Sequence, residues 1–165
     1  MKKFELTSET KINIFGKKLF RIKALVSFGV VKTGETGGWV EKEENVNQSG
    51  DAWVFGNAEV FGNARVFGNA EVFGNAEVFG NAEVSGNAEV SGNADYTTIH
   101  GFGTQFRTTT FFRCKDKQVK VSCGCFYGTI PEFREQVKNT RDGKIAEEYL
   151  MIADLMEKHF AEEAK

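Results

Sequence analysis

Few side chains in this sequence have the types needed for chemistry. Two histidines, His100 and His159, and three cysteines, Cys114, Cys123 and Cys125, supply all the imidazole and thiol groups of the 165 residues. His100, in Ile99-His100-Gly101-Phe102-Gly103, has the side chain of a general base, which must lie within hydrogen-bond reach of the proton it removes. Neither a neighbouring acid nor a long substrate loop accompanies it in the sequence, so a surface or corner histidine is the expectation. Cys123-Gly124-Cys125, with Cys114 and a histidine, could make a zinc site, but structural zinc sites favour C-x(2–4)-C spacing. Both cysteines of the pair fall on the strand face of Val119 and Val121, which reads better as buried small apolar side chains. No metal and no cofactor are expected. Gly101-Phe102-Gly103 superficially matches an aromatic RNA-binding signature, yet the leading Lys or Arg is missing and Thr104-Gln105 stands where an aromatic and an aliphatic belong. Arg107, Arg113, Lys115, Lys117 and Lys120, near Phe106, Phe111 and Phe112, form a basic-aromatic cluster of the kind that stacks bases. Strand edges kept soluble by cations produce the same pattern more often.

Charge narrows the classes further. Twenty-one Lys plus Arg against 23 Asp plus Glu leave a net −2, which excludes a domain that holds nucleic acid through bulk positive charge. The balance is uneven along the chain. Residues 1–40 carry eight bases and three acids (+5), 41–95 two bases and ten acids (−8), and 96–165 eleven bases and ten acids (+1). No stretch approaches the roughly 18 apolar residues of a membrane helix. Met1-Lys2-Lys3-Phe4-Glu5 leads into charge instead of an apolar signal core, and an odd number of cysteines argues against a disulfide framework. A soluble, cytoplasmic protein with no direct membrane contact is expected.

Eighteen Gly beside one Pro, and 16 Phe beside two Trp and three Tyr, point to a repeat. From Val54 the chain reads V-F-G-N-A-E, and the unit recurs from Val60, Val66, Val72, Val78, Val84 and Val90, with Ser for Phe in the last two and Arg65 for Glu once. Neither the strand period of 2 nor the helix period of 3.6 explains a strict six-residue beat. A stacked parallel β-helix does. The valines then point inward, each Gly-Asn pair makes a corner because Gly accepts positive φ and Asn tolerates it, and Ala58 and its equivalents fill the cramped inside of the corner. An aliphatic at i with a small residue at i+4 resembles the hexapeptide-repeat, left-handed parallel β-helix superfamily, whose triangular coils hold three hexapeptides each. That resemblance covers Val54 to Asp95, and the left hand is what it implies. The segment from Phe28 through Thr33-Gly34-Glu35-Thr36-Gly37-Gly38-Trp39-Val40-Glu41 to Ser49-Gly50-Asp51-Ala52-Trp53-Val54 is also similar to the entry segment of bacterial and phage hexapeptide-repeat proteins of the transferase-like or polymer-forming kind.

Seven hexapeptides make little more than two such coils, too few to stand alone, since each coil buries its faces only against neighbours. Gly50-Asp51-Ala52-Trp53-Val54 and Gly37-Gly38-Trp39-Val40 read as earlier, looser copies. Tyr96, Phe102 and Thr108 continue the register downstream, for four coils at most. Lys11-Ile12-Asn13-Ile14-Phe15 and Leu19-Phe20-Arg21-Ile22-Lys23 flank Gly16-Lys17-Lys18 as a β-hairpin that would cap the N-terminal end. Thr129 with Glu132 marks a helix start near Pro131, with Phe133 and Val137 on its apolar side. After Asp142-Gly143 a second helix carries Ile145, Tyr149, Ile152, Met156 and Phe160 in one stripe. The expected fold is mainly β: a short left-handed parallel β-helix, or triangular solenoid, over 33–110, with a hairpin cap over 1–32 and a strand with two helices over 111–165.

On the outside of such a coil Phe55, Phe61, Phe67, Phe73 and Phe79 form aromatic columns, with Phe55 under Phe73 and Phe61 under Phe79 at one strand spacing of about 4.8 Å. Phe67 and Phe73 meet Ser85 and Ser91, so the aromatic surface fades toward the C-terminal end. Contiguous apolar surface of this kind marks an interaction site, covered by the C-terminal helices, by another copy of the chain or by a foreign partner. Glu59, Glu77 and Asp95 share one carboxylate column, Glu71 and Glu89 a second, and Arg65 faces Glu83 in the third. Such an array either solvates the sheet or imitates a phosphate backbone.

The superfamily resemblance implies acyltransferases with a histidine base, here His100, or zinc-dependent carbonic anhydrases with three histidine ligands, which two histidines cannot supply. The reading that emerges is a non-enzymatic, self-associating interaction protein whose Phe and Glu columns bind. The phage-type resemblance implies a counter-defence role in the host cytoplasm, with a host protein or a small signalling ligand as partner. A trimeric acyltransferase using His100, and an assembly subunit stacking end to end, are the alternatives.

Overall fold

A computed structural model describes residues 1–161. It is mainly β, with several sheets followed by two C-terminal helices. The repeat forms seven two-residue strands: β4 Trp53–Val54, β5 Glu59–Val60, β6 Arg65–Val66, β7 Glu71–Val72, β8 Glu77–Val78, β9 Glu83–Val84 and β10 Glu89–Val90. All pair in parallel, β4 with β7 and β7 with β10, β5 with β8, β6 with β9, so each strand meets the one 18 residues on. Upstream, Val40 pairs with Val60 and Val46 with Val66. Three layers of valines result: 40, 46 and 54, then 60, 66 and 72, then 78, 84 and 90. The first layer holds two extra residues between Val46 and Val54. These valines and the corner alanines from Ala58 to Ala88 are at most 1% exposed and form one core.

The corners correct one sequence expectation. Gly56 and its equivalents through Gly86 all have φ between +57° and +69°, whereas the repeat asparagines stay outside the left-handed region. Glycine alone supplies the turn, because it has no Cβ to clash there. Gly92 does not take positive φ, and the repeat geometry ends beside it.

Below the first layer, β1 (Phe4–Ile12) and β2 (Lys18–Ala24) form the expected hairpin, β2 pairs antiparallel with β3 (Thr36–Val40), and β3 runs parallel to β5. The first strand ends sooner than the sequence suggests: Ile14 and Phe15 lie in the turn. Phe4, Ile22, Ala24 and Val31 join the valine core from beneath. Trp53 meets Phe4 and Phe28 edge to face, at 5.8 and 5.2 Å between ring centroids. Lys3 is buried among these rings; its Nζ donates to the Ala52 carbonyl at 2.8 Å and the Gly50 carbonyl at 3.2 Å, and lies 4.7 Å from the Phe28 centroid. Burial pulls the Lys3 ammonium down to about 8, against a smaller upward pull from Asp51.

The C-terminal end departs from the expected register. Tyr96, Phe102 and Thr108 do not continue the coil. They belong to an antiparallel sheet of β11 (Tyr96–Phe102), β12 (Arg107–Arg113), β13 (Val119–Cys123) and β14 (Phe126–Thr129). This sheet closes the top layer: Ala88 bridges Cys114, the Tyr96 hydroxyl donates to the Glu77 carbonyl, and Glu83 N–H donates to Thr110 Oγ1. Successive strand residues face opposite ways, so Phe112 enters the valine core while Phe111 faces the helices.

Helices α1 (Ile130–Thr140) and α2 (Gly143–Phe160) begin where the sequence places them. Thr129 caps α1 by accepting from Glu132 N–H. Phe133 and Val137 of α1 pack with Tyr149, Ile152, Met156 and Phe160 of α2 on the Phe111 face of the sheet. Of the three covers the sequence left open for the Phe columns, the C-terminal helices are not the one, since the antiparallel sheet takes their apolar faces. Of the cysteines only Cys114 is buried, with its thiol pushed up to about 12 by that burial, whereas Cys123 is half-buried and Cys125 exposed beyond the turn at Gly124. No helix among the described residues is long and apolar enough to cross a membrane.

Two predictions test the core. Alanine at Gly80 (φ +69°) meets nothing within 4 Å, so it loses only the left-handed penalty of about 1–2 kcal/mol. At Gly74 (φ +64°) the new Cβ would lie 2.4 Å from the Ser91 carbonyl oxygen, adding about 1–3 kcal/mol; urea denaturation of the two variants reads the difference. For Lys3, whose ordinary value of 10.5 falls to about 8 on folding, the unfolded chain binds more protons between those limits. Its contribution to stability therefore rises with pH through that window and is lost as pH falls through about 8. The wild type should gain stability relative to Lys3→Met from pH 8 to 10.5, measured by chemical denaturation at each pH.

Candidate functional site

Stacking of the coils brings Phe61 and Phe79 face to face, 5.2 Å apart and within 8° of parallel. The hairpin turn lays Phe15 against both, 5.6 Å from each ring. Leu19 and Trp39 complete a small apolar cluster around Phe61, outside the valine core. Phe61 is consequently 4% exposed and withdrawn from the surface, while Phe79 remains 42% exposed. The columns do lie outside the coil, but a segment the sequence assigned to the end cap covers this one.

Two cations hold the hairpin in that position. Lys11 lies 2.8 Å from Glu59 and 4.6 Å from the centre of the Trp39 ring. Arg21 sits 4.3 Å from the same ring and donates to the carbonyls of Gly37 and Gly56 at 3.0 and 2.9 Å. The hairpin so fixed leaves Ile12 at the end of β1, and Ile14 and Phe15 in the turn, 65%, 87% and 53% exposed, with Phe15 lying against Phe79. This apolar patch is the site that sequence reasoning missed. Its signal was the run Ile12-Asn13-Ile14-Phe15, read as strand because the turn was placed at Gly16-Lys17-Lys18.

The remaining candidates are separated. Phe55 is half-buried against the valine core. Phe73 is half-buried, and half-buried Phe67 lies 5.4 Å from the Arg65 guanidinium beside a cleft of about 450 Å³. Among the carboxylates, Glu59 pairs with Lys11, Glu71 with Lys115 at 2.7 Å, and Glu83 accepts from Ser122 Oγ at 3.4 Å. Glu77 and Glu89 have no ion pair among the described residues. Asp95 leaves its expected column: Asn93 accepts from Glu77 N–H instead, and Asp95 turns to Ser91 and Arg113. Lys11, Arg65 and Lys115 interrupt the rows, so a bare phosphate-like array is not what the surface carries.

His100 is exposed on β11, its Nδ1 2.9 Å from Thr108 Oγ1. Asn81, Glu83 and Arg107 share its shallow cleft of about 330 Å³. Glu83 is an acid that spacing could not reveal, because it comes from the coil and His100 from the following sheet. Its hydrogen bond goes to Ser122, leaving the acid–base relay of an activated histidine unformed. The basic-aromatic cluster is likewise dispersed. Phe111 and Phe112 are fully buried, Arg113 binds Asp95 and the Phe160 carbonyl, and Lys115 binds Glu71. His159 is exposed at the end of α2, edge-on to Phe160. No family model matches the chain, and no curated protein matches it.

Unequal burial of the two stacked rings predicts unequal effects. Phe61→Ala should destabilise by about 3–5 kcal/mol, as buried Phe truncations do. Phe79→Ala should lose about 1 kcal/mol, chiefly the ring pairing. Equal midpoint shifts in urea would contradict the covered column.

Proposed function

We propose that the chain is a non-enzymatic interaction protein built on a short left-handed parallel β-helix of the hexapeptide-repeat superfamily, and that it binds through the hairpin-tip patch. Parallel pairing at 18-residue steps supports the coil, and the resemblance of the repeat supports the hand and the family. The observation that carries the binding role is the exposure of Ile12, Ile14 and Phe15 at the hairpin turn and of Phe79 against Phe15, both rings packed on the buried Phe61. A rigid base under exposed apolar side chains limits the ordering entropy lost on docking, and such patches mark interfaces. Lys18 pairs with Ile12 across the hairpin, and Glu77, without an ion pair among the described residues, lies on β8 next to Phe79, so a second copy of this chain finds both apolar and opposite-charge complements. The phage-type resemblance supports a host-cytoplasm role against a host protein.

The alternatives have less support. End-to-end stacking requires open coil ends, and the cap around Trp53 and the sheet carrying Phe112 occupy them. An acyltransferase requires a positioned base, and among the described residues the His100 ring bonds only Thr108.

Sedimentation of the wild type and of an Ile12→Ser/Ile14→Ser double variant tests the proposal. Both positions are exposed, so the variant should melt like the wild type. The wild type should sediment as a concentration-dependent oligomer and the variant as a monomer. A monomeric wild type that also captures no bacterial protein dependent on Ile12 and Ile14 overturns the reading.

A further inference from the structure

A cavity of about 190 Å³ opens between the β11–β12 turn, the β13–β14 turn and the helix pair. Its floor is apolar, made by Phe126, Phe133, Val137 and the Tyr149 ring. Phe133 stands between Phe126 and Tyr149, at 5.7 and 5.8 Å, perpendicular to the tyrosine. Thr104, Gln105, Arg107, Gln136, Thr140 and Arg141 line the rest with Cys123 and Cys125, and no carboxylate among the described residues borders the space.

Both walls depend on glycine turns. At Gly124 (φ +59°) a Cβ would fall 1.8 Å from Arg107 Nη1, and at Gly103 (φ +79°) one would fall 2.4 Å from the Tyr149 hydroxyl. The guanidinium and the phenol therefore rest directly on backbone. Among the described residues the Arg107 guanidinium has no hydrogen-bond or ion-pair partner, and that of Arg141 donates only to the Thr140 carbonyl at 3.2 Å. The other arginine of this sheet, Arg113, is held by Asp95, and Arg134 of α1 by Asp154 and Glu157. Arg107 also borders the shallow cleft that holds Glu83, without an ion pair to it among the described residues. Two guanidiniums bordering one largely apolar cavity favour an anion, since guanidinium matches carboxylate and phosphate oxygens in paired hydrogen bonds. Burial raises the Tyr149 phenol above its ordinary value, with the neighbouring Cys123 adding to the rise, so it stays a proton donor at neutral pH. The volume falls below the about 300–1,000 Å³ of sites for drug-sized ligands, which limits the occupant to a single ring with one charged group.

The geometry points to a binding site for a small aromatic anion, its ring on Phe133 and Tyr149 and its carboxylate or phosphate between Arg107 and Arg141. This site is independent of the hairpin-tip reading and stands or falls without it.

Two-dimensional amide NMR titrations with phenyl phosphate and with benzoate test it, with inorganic phosphate and benzyl alcohol as half-ligand controls. The expected result is saturable shifts confined to the turns at 103–107 and 123–126 and to 133–149. Binding should be weakened about tenfold by Arg107→Gln and by Arg141→Gln, and should be unchanged by Lys138→Gln, an equal charge loss on the far side of α1. The tighter of the two ligands names the anion. Equal affinity for either half-ligand, equal loss with Lys138→Gln, or no saturation overturns the proposal. In the unmodified protein, saturating phenyl phosphate should slow alkylation of Cys123 by iodoacetamide, and an unchanged rate counts against the site.

Discussion

Each strand of the repeat is two residues long and cannot hold itself in place. Its backbone donors and acceptors are completed only when the chain returns 18 residues later, as when Phe61 N–H donates to the Val78 carbonyl and Phe73 N–H to that of Val90. The rest of the structure depends on that return. Identical spacing forces identical side chains into columns, and the columns of valines flanked by alanines form one apolar core. Because each layer is stabilised by the next, the first and last layers are unfinished by construction. The hairpin with Trp53 and Phe4 completes one, and the antiparallel sheet with Phe112 the other. Both caps are part of the folding unit, and their aromatic residues are buried for that reason.

The same register that stacks valines inside stacks phenylalanines and carboxylates outside, and here the caps change what the surface offers. The basic first forty residues meet the acidic repeat within one chain. Lys11 reaches Glu59, Lys17 lies 3.8 Å from Glu41, and Lys2 lies 2.9 Å from Glu43. Exposed pairs of this kind contribute little each, about 0–1 kcal/mol, yet together with Arg21 on Trp39 they select one docking of the hairpin. Charge polarisation along the sequence thus becomes an internal clamp. What it leaves outside is apolar: the tip residues that the clamp holds over the Phe61–Phe79 stack. In the C-terminal region Asp95 pairs with Arg113, and Asp154 and Glu157 with Arg134, while among the described residues Arg107 and Arg141 have no ion pair.

Local patterns carried much of this into the sequence. A six-residue beat fixes strand positions, inward valines and outward aromatics, since each is a property of neighbouring residues and of one spacing. Helix starts were legible for the same reason: Thr129 three residues before Glu132, and the stripe from Tyr149 to Phe160, are short-range signals. The end of the coil was not legible. Tyr96, Phe102 and Thr108 keep the six-residue spacing, but antiparallel pairing with β12 gives the strand continuous hydrogen bonds. Partners for the exposed candidates were equally hidden, because Lys11 with Glu59, Glu83 with His100 and Arg107 with Arg141 are brought near by segments far apart in the chain.

By itself, then, the sequence determined the repeating unit, the faces of its side chains and the two amphipathic helices, all set by periodicity and by caps within a few residues. The tertiary structure alone decided where the coil stops, which aromatic column is covered, which charges are neutralised and which cations are left facing a cavity. Those outcomes depend on how whole segments bury apolar surface and complete each other's hydrogen bonds at long range, and residue spacing does not encode that competition.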